Sequence, residues 1–128
     1  MTSPALVWAP PLAWMALIFF GSSTPGGELP GFLSLLHLDK VAHFAEYAVL
    51  GLLTARAFAR WPRLDAAVLV AACAAFAFAF GITDEIHQRF VPERTSSAFD
   101  LVPDLLGGTV GAWVWLTARR SGRAPLWW

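Results

Sequence analysis

Charge is scarce in this chain: only 14% of its 128 residues are Asp, Glu, Lys or Arg, where a soluble domain carries about 25%. So few charges cannot cover a small water-soluble globule, and the bilayer becomes the expected solvent. An excess of either sign is also missing. Nine Lys and Arg balance nine Asp and Glu, and without a basic stripe to displace counterions, nucleic acid is excluded as a partner. The single cysteine, Cys73, can form neither an intramolecular disulfide nor a cysteine-based metal cluster. No Lys or Arg precedes the first apolar stretch. The basic region of a secretory signal is therefore lacking, and an uncleaved anchor is expected despite the small Gly21, Ser22 and Ser23.

What abounds is apolar: hydrophobic residues make up 57% of the chain, with ten glycines besides. A hydrocarbon core of about 30 Å takes roughly 20 helical residues, and four stretches suit it, at about 6–21, 41–60, 66–84 and 99–118. They leave only short connections, so the expectation is a single domain over 1–128. Its expected class is all-α, a small polytopic membrane protein with four transmembrane helices. Phe76, Phe78 and Phe80 alternate as in a strand, but an isolated strand cannot satisfy its backbone in lipid. Pro10 and Pro11 are expected to start or bend the first helix. Asp65 is the expected N-cap of the third, after a turn at 60–65 too short to do more than reverse direction. Residues 22–38 and 88–97 read as loops, and Ser97 with Asp100 has the spacing of a capping box.

With four spans, one side collects Arg56, Arg60, Arg63, Arg119, Arg120 and Arg123, and the other Lys40, Arg89 and Arg94. The excess of cations in cytoplasmic loops then predicts both termini in the cytoplasm. Trp61, Trp127 and Trp128 suit that interface as anchors, the last two as a tail on the membrane surface.

The polar residues gather at the opposite side. Asp39, His43 and Glu46 form one helical stripe, Asp84, His87 and Gln88 a second, and Asp100 and Asp104 a third that continues into Gly107 and Gly111. The two glycines have the small-xxx-small spacing of close helix contacts. Glu46 at mid-span costs about 2.5–3.5 kcal/mol if it faces lipid, so it is expected to point inward. Its available partners are His43, Lys40, Arg89 and Arg94. Arg94 is either a solvated loop charge or a planar fork for a phosphate or carboxylate. Asp39 and Asp100 also suit helix capping, and His43 with Glu46 also suits an inter-helix packing pair. Glu85 and Arg89, at i and i+4, read most simply as a surface ion pair.

The run from Asp39 to Gly51, containing Lys40, His43 and Glu46, resembles the first signature of the VanZ-like membrane proteins. The run from Asp84 to Pro92, with Glu85, His87 and Gln88, together with Arg94 and the segment from Asp100 to Gly107, resembles the second. Where that family carries an amide four residues after Asp100, this chain has Asp104, which adds a negative charge. The resemblance implies a multi-pass protein of the bacterial inner membrane, tied to the cell envelope and to resistance against the glycopeptide teicoplanin.

Three function classes follow. In the first, an outward-facing polar site binds membrane lipid headgroups, a lipid-linked envelope precursor or a glycopeptide without catalysis. The second is a membrane-embedded enzyme acting on lipid-linked envelope precursors, with a divalent metal held by imidazole and carboxylates of the kind that suit Zn, Mn or Fe. Its signal is weaker: the spacings are not those of a zincin, and no serine or cysteine nucleophile stands beside a base. No cofactor is assigned on these grounds. A proton path or transporter is least supported, because Ala66 to Phe76 is without a polar group and α-helical positions after Asp104 offer little beyond Thr109 and Thr117. The first class is the expectation.

Overall fold

The computed structural model describes residues 3–28, 31–32, 38–61 and 64–122. Among them are four long helices and no strand: α1 (Pro4–Ser22), α2 (Leu38–Phe58), α3 (Ala66–Gln88) and α4 (Leu101–Arg120). Two single 3-10 turns, Gly26–Glu28 and Ala98–Asp100, complete them. Arg63, Arg123, Trp127 and Trp128, used above to orient the chain, lie outside the described residues.

Local chemistry sets the helix ends. The Ser3 side chain accepts from the Leu6 N–H at 3.4 Å, and Pro4 occupies a first-turn position where its missing N–H costs nothing. The first helix therefore starts before Pro10 and Pro11, which lie inside it rather than at its start. Asp65 caps α3 as expected, its carboxylate accepting from the Val68 N–H at 2.8 Å. That helix continues to Gln88, beyond the expected end near 84, because Asp84, Glu85 and Gln88 all turn inward. The capping box does not close. Ser97 Oγ accepts from the Phe99 N–H at 3.2 Å, but the Asp100 carboxylate turns away toward Lys40, and a 3-10 turn leads into α4 instead.

Three helical segments, Pro4–Ser22, Ala66–Gln88 and Ala98–Arg120, are long and apolar enough to cross a membrane. The expectation was four. α2 has the length, 21 residues, but Asp39, Lys40, His43, Glu46 and Arg56 interrupt its apolar character. It packs against all three other helices, and the buried His43, Tyr47, Leu50, Gly51 and Thr54 form its inner face. α2 thus combines charges within its length with packing against every other helix.

The helices alternate in direction. Ser22 at the end of α1 meets Asp84 near the end of α3, and Lys40 at the start of α2 meets Asp100 before α4. At the other end, Trp8 of α1 packs edge-on against Phe58 of α2 with ring centroids 5.2 Å apart. The tightest seam joins α2 to α4. A Cβ at Gly107 would strike the Phe44 carbonyl and one at Gly111 the Ala48 carbonyl, while Gly51 lies against the Gly108 backbone. The predicted small-residue contact is therefore present, with α2 as its partner. Two apolar clusters fill the interior: Ile18, Tyr47, Leu50 and Ala77 at mid-height, and Ala55, Leu69, Cys73, Ala112 and Trp115 toward the arginine-bearing end. Leu6, Leu17, Phe20, Val102 and Trp113 stand outside, each more than half exposed. This distribution, apolar outside and polar within, suits a lipid surround.

Candidate binding site

The polar stripes meet at one end. α2 carries Asp39, His43 and Glu46, α3 carries Asp84, Glu85 and Gln88, and the 3-10 turn with α4 supplies Asp100 and Asp104. A cavity of about 570 Å³ opens there, lined by Ser22, Asp39, His43, Glu46, Gln88, Arg94 and Asp100 among others. Its outer rim is the loop after α3, where Gly26 N–H donates to the Pro92 carbonyl at 3.1 Å. Glu93 there holds a left-handed backbone, φ 56°. A side chain at Gly26 would run into the Glu93 carbonyl, so glycine lets this loop close over the end of α1.

Behind the cavity wall the side chains interlock. His43 Nδ1 faces Asp104 Oδ1 at 3.0 Å, and Asp104 is fully buried. With Asp104 ionised the imidazole proton sits on Nδ1, leaving Nε2 with its lone pair. Asp84 Oδ2 accepts from Ser22 Oγ at 2.8 Å and from Gln88 Nε2 at 3.0 Å. Arg94 Nε donates to Gln88 Oε1 at 3.4 Å, which holds the guanidinium beside the cavity. Lys40 reaches Asp100 from the exposed side. Glu46 is half-buried and lines the cavity, the inward placement expected of it.

Glu85 departs from expectation. It is buried rather than a surface partner of Arg89, its Oε2 accepting from Ser96 Oγ at 2.8 Å and from the Ser97 N–H at 2.9 Å, whereas Arg89 is exposed. The ion pairs among the described residues are Lys40 with Asp100 and His43 with Asp104. His87 also leaves its predicted group. It stacks on Phe19 of α1, ring centroids 4.0 Å apart, with Nε2 2.9 Å from Ser23 Oγ. That ring braces α1 against α3 and stays out of the cavity wall.

Ser96 and Ser97 were readable in the sequence only as loop and cap residues, yet they hold Glu85. The usable signal was a pair of hydroxyls following a carboxylate-rich helix end. Tyr47 was likewise passed over within its motif. It is fully buried between His43 and Phe80.

Among the described residues, Asp84 Oδ1, Glu85 Oε1, Asp104 Oδ2 and the Tyr47 hydroxyl are buried without a hydrogen-bond partner. Such atoms are rare in folded proteins because each forfeits about 1–3 kcal/mol. Three of these residues lie directly behind the cavity lining: Asp84 bonds Ser22 and Gln88, and Asp104 and Tyr47 adjoin His43.

A family model described as VanZ/LLP1 matches residues 7–119, nearly the whole chain and every side chain of this site. The chain belongs to the VanZ/LLP1 family. Comparison with curated proteins and with solved structures gave no match. In this VanZ-like chain both motifs that carry the resemblance lie on the cavity: the first supplies Asp39, His43 and Glu46, the second Gln88, Arg94 and Asp100.

Proposed function

We propose that this VanZ-like membrane protein crosses the bacterial inner membrane four times, both termini cytoplasmic, and binds the polar headgroup of an envelope ligand in its outward-facing cavity. The ligand class is a lipid-linked envelope precursor or a glycopeptide that recognises one, which connects the site to teicoplanin resistance. One observation carries the reading: a cavity of headgroup size, lined by acids and one guanidinium, sits at a single end of a bundle whose outside is apolar. A one-ended site fits binding from one leaflet better than passage through the membrane. Arg94 supplies the fork for a phosphate, while Glu46 and Asp39 face a ligand's amino groups.

Orientation rests on the cations. Arg56, Arg60, Arg119 and Arg120 lie at the end away from the cavity, with Arg63 and Arg123 adjoining them in sequence, against Lys40, Arg89 and Arg94 at the cavity end. α2 completes the four-pass topology: it has the length of a span, its His43 and Thr54 are buried against the other helices, and its exposed Asp39 and half-buried Lys40 lie at the cavity end.

Native mass spectrometry of the detergent-purified protein with lipids retained tests the ligand. A lipid-linked precursor bound to the native protein and at least tenfold depleted in Arg94→Gln and Glu46→Gln is expected. Equal occupancy in all three overturns the reading. A cysteine at Thr95, on the exposed rim, is expected to react with an impermeant thiol reagent outside intact spheroplasts, and labelling only after lysis reverses the topology.

A further inference from the structure

In and behind the wall of the cavity, buried carboxylates outnumber the cations near them. Asp84, Glu85, Asp100 and Asp104 are all at most 5% exposed, and the fixed cations near them are Lys40 and Arg94. Three side chains from separate elements converge: His43 of α2, Glu85 of α3 and Asp100 of the 3-10 turn before α4 each offer one ligand atom, all within 4.8 Å of one another. A first-row divalent ion with bonds of about 2.0–2.2 Å closes such a triangle once each atom draws in by up to about 0.8 Å.

We propose that His43, Glu85 and Asp100 form a binding site for a first-row divalent metal ion, with its open coordination positions turned to the cavity. The unpartnered oxygen of Glu85 is the observation that separates this trio from an ordinary acidic cluster. Glu85 is 5% exposed, Ser96 and Ser97 occupy its Oε2, and Oε1 has no hydrogen-bond partner. A buried carboxylate with one oxygen fixed and the other bare is arranged as a ligand.

Each member of the trio is also oriented from behind, as metal ligands are. Asp104 holds His43 through Nδ1 and so presents Nε2 as the donor. The serines hold Glu85. Lys40 holds one oxygen of Asp100, leaving the other for the ion. One imidazole with two carboxylates is a mixed nitrogen and oxygen set suited to Mn²⁺, Fe²⁺ or Zn²⁺ and too hard for Cu⁺. His43 and Asp100 both line the cavity, so a bound ion is reachable by an anionic group of whatever enters. The ion deepens the proposed headgroup reading by adding a second anchor for phosphate beside Arg94, but its binding does not depend on that reading.

The test uses chelator-stripped full-length protein in detergent with no lipid precursor or glycopeptide added, so it is decided independently of the envelope ligand. Mn²⁺ is titrated by electron paramagnetic resonance and Zn²⁺ by competition with a chromophoric chelator. One ion per chain is expected, with a nitrogen coupling from imidazole in the Mn²⁺ spectrum that His43→Ala abolishes. Glu85→Gln and Asp100→Asn are each expected to weaken binding at least tenfold, while Arg89→Gln leaves it unchanged. Lys40→Met is expected to weaken binding about tenfold, since the partner that orients Asp100 is removed. No stoichiometric uptake by the native protein, or uptake undiminished in Glu85→Gln and Asp100→Asn, overturns the proposal. Should those two variants fail to fold, the nitrogen coupling in the native protein decides alone: its presence supports the site and its absence overturns it.

Discussion

The two ends of the bundle are made from the same helices and hold together in opposite ways. At the arginine-bearing end, Ala55, Leu69, Cys73, Ala112 and Trp115 close an apolar cluster. At the other, Asp84, Glu85, Gln88, Asp100 and Asp104 are buried just as deeply. Apolar groups lose nothing on leaving water, so helices can be held in lipid by contact between small and bulky side chains. Buried carboxylates stabilise only when their oxygens are partnered, and three oxygens at the polar end are not. The apolar end and the glycine seam therefore carry the fold, and the polar end depends on the stability they supply.

The seam is where both ends break together. Gly111→Val drives a branched side chain into the Ala48 backbone, which cannot give way as a flexible side chain would. It is expected to cost more than about 3 kcal/mol, beyond ordinary overpacking, and to abolish monodisperse protein in size-exclusion chromatography. Gly21→Ala, where an added Cβ meets nothing within 4 Å, is the matched control, expected within about 0.5 kcal/mol of the native protein.

Next in size is the buried pair at the polar end. Asp104→Ala leaves His43 without its acceptor and is expected to cost about 3 kcal/mol, the usual consequence of removing one partner of a buried pair. Reversible unfolding followed by tryptophan fluorescence measures it. The double variant His43→Ala with Asp104→Ala is expected to lose clearly less than the sum of the two single variants. Strict additivity would mean that the 3.0 Å contact carries no coupling, and the polar end would then hold by packing as the other end does.

Much of this contrast was legible before any coordinates. The apolar runs mark the helices because the period and length of a membrane span are dictated by lipid. Asp65 was readable as a cap because capping is local. The stripe of Asp39, His43 and Glu46 indicated an inward face because lipid penalises any other. What stayed hidden depends on contacts between distant elements. Glu85 at i and Arg89 at i+4 satisfy the rule for a surface pair, and only the return of Ser96 and Ser97 over the helix end makes Glu85 an interior residue. His87 shares a helical face with Asp84 by spacing, yet Phe19 of α1 and Ser23, which caps that helix, capture it. The first helix, expected from about residue 6, extends back to Pro4 beside the Ser3 cap, with Pro10 and Pro11 inside it.

A smaller effect sharpens the difference between holding and binding. Ser22 Oγ donates to Asp84 Oδ2 at 2.8 Å and also lies 3.5 Å from Gln88 Nε2. Ser22→Ala leaves Asp84 with Gln88 alone and is expected to cost about 1–2 kcal/mol, that of one lost bond to a buried charged group. Because Gln88 also steadies Arg94, the same variant is expected to reduce envelope-ligand occupancy in native mass spectra. Cys73→Ala, of similar energetic size at the apolar end, is expected to leave occupancy unchanged. Equal loss of ligand in both would erase the distinction between the ends.

The finest comparison removes one unpartnered polar atom from the apolar end and one from the mid-height layer beneath the polar end. Trp115 Nε1 and the Tyr47 hydroxyl are both buried without a hydrogen-bond partner, so replacing either residue with Phe deletes a group whose desolvation goes uncompensated. At Trp115 the gain is offset by the smaller ring and by a weaker cation–π contact with Arg119, whose guanidinium carbon lies 5.0 Å from the indole centroid. Trp115→Phe is therefore expected within about 1 kcal/mol of the native protein. Tyr47→Phe keeps the ring, its 6.3 Å stacking on His43 and its 6.0 Å contact with Phe80, so only the hydroxyl is lost. It is expected to stabilise the protein by up to about 1 kcal/mol, read as a higher unfolding midpoint at unchanged cooperativity. If Tyr47→Phe instead destabilises by that amount, the hydroxyl has a partner in the membrane, and the polar end is better satisfied than its bare oxygens indicate.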